Sequence, residues 1–168
     1  EKVRNGAKSS FADTISGTDL IVGARSGSVQ LLLYSVFRIG SATNNVSWLS
    51  YQDIAARPDV EWIVPISLGD SHRQFRVMGT TQAFFNHYKY RQGRSVSIAS
   101  GAIMDDLFDA VVGADVAATL GYSVGDPIVV SHGLASFTEH KDQPFRVSGI
   151  LKKTGTPIDR TVIVSLEA

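Results

Sequence analysis

The sequence contains no cysteine. That excludes disulfides, thiolate metal sites and cysteine nucleophiles, and leaves the compartment open. Net charge is also missing, with 16 basic residues set against 16 acidic ones. Residues 1–84 carry eight basic and seven acidic groups, and residues 85–168 carry eight and nine. Without a net field to draw a polyanion, composition argues against a nucleic-acid partner. Long apolar runs are missing too. The densest, VQLLLYSVFRI at 29–39, is broken by Gln30, Ser35 and Arg38 and falls far short of the roughly 20 residues that a membrane-spanning helix needs. No signal peptide opens the chain, and residue 1 is Glu rather than Met, so the sequence is expected to be a piece of a longer one.

What is present is ordinary for a globular protein: 168 residues, 43% apolar and 19% charged. This suffices for one domain or two small subdomains sharing a core. Val3, Ala7, Phe11 and Ile15 recur every four residues and predict a helix over 1–16, ended near Gly17. DLIVGA at 19–24 is a short strand candidate. Residues 28–39 are expected to be helical, with Ser28 as cap and apolar side chains nearly all round. Such a helix is either buried on most sides or pressed against a partner. Leu31, Leu32, Tyr34 and Phe37 are its candidate interface residues. A polar loop at 41–47 leads to a short helix at 51–57, ended before Pro58.

Val60, Trp62, Val64, Ile66 and Leu68 alternate, which predicts a strand. With a turn at Gly69-Asp70-Ser71 and FRVMG at 75–79, it would form a hairpin in which Pro65 sits at an edge or bulge. Residues 80–90 read as a helix capped by Thr80 or Thr81. RQGRSVSIASG at 91–101 reads as a linker, and IMDDLFDA at 103–110 as a short helix. PIVVSH (127–132), FRVSGIL (145–151) and TVIVSL (161–166) read as strands. FRVMG and FRVSG resemble each other, a hint of two related halves.

Candidate chemistry is sparse. His132 and His140 flank one loop near Glu139 and Asp142, and a hairpin there could bring them onto a metal ion, although the spacing fits no standard ligand motif. Asp105, Asp106 and Asp109 could do acid–base work if buried, but a solvated helix face explains them equally. HYKYRQGR at 87–94 interleaves base and aromatic, in a chain with no net field to use it. No nucleophile elbow and no phosphate-cradling glycine loop is found. The sequence therefore names no catalytic residue and no cofactor.

VVGADVAATLGYSVGDPIVV, at 111–130, is the most structured stretch. Gly113 is expected to release the chain sharply from a strand. Ala114 to Leu120 form a helix with Val116, Ala117 and Leu120 inward, and Gly121 ends it. Gly125, Asp126 and Pro127 make a turn into the next strand. Every residue has a structural task, so the stretch reads as a joint.

The order of these motifs resembles the MacB-like periplasmic core domain of FtsX-type ABC transporter permeases. The likeness rests on VVGADVAATLG, GDPI, FRVSGILKKTGTPIDRTVIVSLEA and, earlier, DLIVGARSGSVQLLLYS and PDVEWIVPISLG. It implies an α+β fold of two subdomains. A porter-like α/β layer would be built from 1–91 and 158–168, and a β-rich Sabre-like subdomain from 92–157. It also implies a periplasmic domain inserted between two membrane helices of an inner-membrane permease. Its partners would be an ABC ATPase subunit or domain, a second permease copy (homo- or heterodimer), and an adaptor or lipoprotein. No catalysis would reside in this fragment. A small-molecule or metal-binding extracytoplasmic domain at His132 and His140 is the alternative.

Overall fold

The computed structural model describes residues 13–24, 27–40, 45–130 and 144–168. The predicted stripe of the first helix lies largely outside them; Asp13 and Thr14 are helical, and Gly17 has a left-handed φ of 71°. In chain order the described elements begin with helix α1 (Ser28–Ser35) and helix α2 (Trp48–Ala55), followed by strands β1 (Ser67–His72) and β2 (Phe75–Thr80). Helix α3 (Ala83–His87) leads to β3 (Lys89–Tyr90), β4 (Arg94–Ser95), β5 (Ile98–Gly101) and β6 (Asp109–Val112). Then come helix α4 (Ala114–Leu120), β7 (Pro127–Ile128), β8 (Phe145–Leu151), a 3-10 turn at Pro157–Arg160 and β9 (Thr161–Ser165).

Seven strands form one mixed sheet in the order β1-β2-β9-β6-β8-β5, with β7 beside β5 on the outer side of β8. The fold is thus mixed α and β, compatible with the α+β expectation. The centre is the antiparallel pair β9–β6; outside it β2 runs parallel to β9 and β8 parallel to β6. Each FRV strand therefore has a parallel inner neighbour. Each also has an antiparallel outer one at the same register: His72 opposite Phe75 and Ile128 opposite Phe145. The similarity of FRVMG and FRVSG is matched by this two-sided arrangement.

Period-two alternation sends the sheet's side chains into two apolar layers. Phe75, Val77, Ala110, Val112, Phe145, Val147, Val162 and Val164 face one way, against Val116, Ala117 and Ile128. Met78, Val111, Leu151 and Ile163 face the other, against Phe84, Met104 and Ile158. Both layers draw residues from 1–91 with 158–168 and from 92–157. Central β9 is buried on both faces from Thr161 to Val164, as a strand covered on both sides must be.

Several sequence expectations need correction. DLIVGA joins no sheet among the described residues; Leu20 and Val22 stand exposed. Gly27, not Ser28, is the residue before α1, and Gln30 Oε1 accepts its N–H at 3.1 Å. That helix ends at Ser35 rather than continuing to 39, and Arg38 turns left-handed with φ 60°. Helix α2 starts earlier than expected because Ser47 Oγ accepts the Ser50 N–H at 3.1 Å.

The β1–β2 hairpin turns at Arg73-Gln74, with φ 44° and 73°, a two-residue loop with both φ positive. Gly69 and Asp70 are instead absorbed by a bulge between Leu68 and Ser71. Residues 60–66 stay outside the ladder; their alternation reflects packing, with Val64 against the second layer and Trp62 stacked on His87 at 4.7 Å. Thr80 ends β2, and its hydroxyl donates to the Pro65 carbonyl at 2.6 Å, so Gln82 precedes α3. The supposed linker at 91–101 forms the turn and second strand of the β3–β4 hairpin, and β5. No helix forms before β6, because Asp109 Oδ2 accepts the N–H groups of Asp105 and Asp106 at 3.0 and 2.9 Å and holds them in a turn.

Candidate functional site

The stretch 111–130 follows the expected order of strand, helix and turn, but the strand expected over 127–132 is only Pro127–Ile128 within the described residues, and the second departure is at Gly113. That residue has φ −65° and ψ 157°, which any side chain could adopt. A Cβ there would lie 2.2 Å from the Ile158 carbonyl oxygen and 2.5 Å from the Asp159 backbone. Glycine is thus required by the close approach of the 3-10 turn, not by a sharp exit from β6. Gly121 does need its freedom: it closes α4 with φ 70°. Asp126 Oδ2 accepts the Ser123 N–H at 2.8 Å, and the Asp126 N–H donates to the Ser123 carbonyl at 3.1 Å. Pro127 then opens β7.

Two polar ties fasten this joint to the rest of the domain. The first is His72, at the end of β1 and buried. Its Nδ1–H donates to the Val129 carbonyl at 2.7 Å, and its Nε2 accepts from the Tyr122 hydroxyl at 2.6 Å. The carbonyl can only accept, which fixes the neutral tautomer. Burial pushes the imidazole below its ordinary value, and the Arg73 charge adds to this. The second tie is the TGTPIDR run. Asp159, buried, accepts from Thr154 N–H at 2.7 Å, Thr154 Oγ1 at 2.8 Å and Gly155 N–H at 2.7 Å. Three donors around one carboxylate compensate for its removal from water. This knot holds the 3-10 turn whose backbone abuts Gly113.

The N-terminal third is of opposite character. Helices α1 and α2 bury none of their residues. Leu20 is 80% exposed, Leu49 73%, Val29 67% and Trp48 54%, with Val22, Leu32, Leu33 and Ile39 also exposed. Two aromatic side chains of this region make defined contacts. Tyr34 donates its hydroxyl to the Leu68 carbonyl, tying α1 to β1, and Trp48 stacks on Tyr51 with ring centroids 4.7 Å apart.

Beneath the end of α1 lies a cavity of about 410 Å³, lined by Phe37, Arg38, Arg76, Thr156, Pro157 and Arg160 among others. Arg38 Nη2 contacts Met78 Sδ at 3.2 Å, while its Nε and Nη1 are buried without a hydrogen-bond partner among the described residues. Burial lowers the guanidinium to about 10, so it stays charged at neutral pH. Arg76 donates to the Gly40 carbonyl at 2.7 Å, and Arg160 lies 4.9 Å over the Phe75 ring.

The profile of the MacB-like periplasmic core domain matches residues 3–168. The chain belongs to this family. Membership makes it an extracytoplasmic domain of an ABC transporter permease. No curated protein matches it. Among the described residues, no helix of this MacB-like domain is long and apolar enough to cross a membrane.

Within the MacB-like domain the residues singled out by sequence are distributed as follows. Gly113, Gly121, Gly125, Asp126 and Pro127 all lie on the joint around α4. Of the candidate interface residues, Leu32 is exposed, whereas Leu31, Tyr34 and Phe37 are half-buried. His132 and His140 lie outside the described residues, as does Lys2, which the insertion reading expected to emerge beside Glu167. Among the described residues no cluster of three or more His, Cys, Asp or Glu is placed to hold a metal. Sequence reasoning missed Leu20, Val22, Trp48 and Leu49, the His72 tie and the arginine cavity. The first four carry a signal only in hindsight, as apolar residues without helical or strand periodicity. The other two depend on pairings distant in sequence.

Proposed function

We propose that this domain transmits motion. In this reading, ATP hydrolysed by a separate nucleotide-binding domain or subunit moves the inner-membrane, FtsX-type permease. The domain converts that movement into export or release of a periplasmic substrate. It works as one of a pair of permease copies, with a periplasmic adaptor or lipoprotein as a further partner, and performs no catalysis itself. The observation that carries the reading is the concentration of exposed apolar side chains on residues 20–49 beside a cross-tied sheet. A surface of that kind favours contact with another protein, and a stiff sheet favours passing a displacement on intact. We further propose that the porter-like segment (1–91 with 158–168) and the Sabre-like segment (92–157) meet along the β9–β6 seam.

Spin labels on exposed positions of the two domains in the full-length dimeric permease test this. Distances between them are expected to differ between the nucleotide-free and ATP-trapped states. Identical distributions in both states would remove mechanotransmission as the function.

A further inference from the structure

The cavity below α1 borders the TGTPIDR run but takes in neither α4 nor the most exposed apolar side chains of residues 20–49. Three arginines line it, Arg38, Arg76 and Arg160, and none of its described lining residues is acidic. The nearest carboxylate in sequence, Asp159, directs its oxygens to Thr154 and Gly155. Arg38 is the informative residue. Buried guanidinium nitrogens without partners are costly, and native proteins nearly always satisfy them. Here Nε and Nη1 are both unsatisfied among the described residues, and the contact of Nη2 is to a thioether sulfur, a weak acceptor. The backbone at Arg38 is left-handed, with φ 60°, a conformation that is uncommon outside glycine.

We propose that this cavity binds an oxyanion, the carboxylate or phosphate group of a small ligand, with Arg38 as its buried anchor and Arg76 and Arg160 nearer the rim. The unpartnered Nε and Nη1 lie on different edges of the guanidinium, so each offers a single charged donor to an oxygen of such a group, and Arg76 and Arg160 add positive charge. The volume lies at the lower end of the range for small-molecule sites. It suits a charged head group with a few further atoms.

Calorimetric titration of the full-length permease with inorganic phosphate and with succinate tests the assignment, using sodium chloride at matched ionic strength as control. One site is expected for at least one probe, and preference between the two separates a phosphate from a carboxylate ligand. Arg38→Met should weaken that site about tenfold or more, since charge-assisted hydrogen bonds to a buried partner are lost. Arg38→Lys, which keeps the charge but not the separately placed Nε and Nη1 donors, should restore only part of the affinity. Unchanged binding in Arg38→Met, or equal displacement by chloride, would mean an adventitious ion only and overturn the proposal. So would the absence of an Arg38-dependent isotherm with both probes. If Arg38→Met fails to fold, Arg76→Gln and Arg160→Gln take its place, and wild-type affinity in both overturns it equally.

Discussion

Helix α1 offers Val29, Leu31, Leu32, Leu33 and Tyr34 and buries none of them. Helix α4 offers little beyond alanines, Val116 and Leu120, yet its Val116 is completely buried. Apolar content therefore does not decide which helix enters the core. Position in the sheet does. Helix α4 follows β6, a central strand, and must fold back over the layer formed by Val77, Val112 and Val162. Helix α1 precedes the edge strand β1 and is held through Tyr34 and by Leu31, which reaches back towards Gly23. One helix stabilises the domain, and the other presents a surface.

The strongest test of that contrast is Gly113→Ala. The new Cβ would meet backbone on the 3-10 turn, which is pinned by Asp159 and cannot yield cheaply. A loss of about 3 kcal/mol or more is expected, in the range of severe overpacking, and denaturant unfolding measures it. A loss below about 1 kcal/mol would show that the turn is free to move and that the joint is softer than described.

His72 ties edge strand β1 to the joint, and its contribution is predicted to depend on pH. Its folded pKa lies below the ordinary 6.5, so the unfolded chain binds the proton more readily. The stabilisation is full above about 6.5 and is lost as pH falls through the folded value. Thermal melts at pH 7.5 and pH 5 should differ by more in the wild type than in His72→Phe. At pH 7.5 the variant should lose about 1–3 kcal/mol, because the Tyr122 hydroxyl and the Val129 carbonyl lose a partner. Equal pH dependence in both proteins would remove this tie from the account.

A smaller effect is expected at the turn into β7. Asp126→Ala removes one side chain to backbone hydrogen bond and should cost about 1 kcal/mol. The ladder pairing Pro127 with Arg146 and Ile128 with Phe145 remains to hold the strand. Full stability with impaired transport would instead make Asp126 part of a working surface.

The legible and illegible parts of the sequence divide along similar lines. Strands β8 and β9, helix α4 and the turn at Gly125-Asp126-Pro127 could be read because alternation, a left-handed glycine end and turn chemistry are local. The β1–β2 turn was misplaced because Arg73-Gln74 carries no turn residue, while Gly69-Asp70, which does, makes a bulge. The helix expected before β6 fails because one carboxylate, Asp109, takes two backbone donors that a helix would have oriented otherwise. Gly113 could be identified as necessary, but the reason lay some 45 residues away, at Ile158 and Asp159. The arginine cavity was hidden for the same cause: Arg38, Arg76 and Arg160 converge only through the fold.

The smallest effect on stability, and the largest expected on function, belongs to Val29. It is the most exposed apolar side chain of the 28–39 segment, at 67%. Val29→Lys replaces surface with surface, so the isolated melt should shift by no more than about 0.5 kcal/mol. If α1 meets a partner protein, the new charge must be desolvated in that contact without an opposing group, and transport by the full-length permease should fall sharply. Val116→Lys is the matching control on α4. There the charge would enter a completely buried site, and unfolding rather than selective loss of transport is expected. A Val29→Lys permease that transports normally would leave α1 an apolar helix without a partner. Comparable unfolding of both variants would instead show that α1 is core, and the contrast between the two helices would collapse.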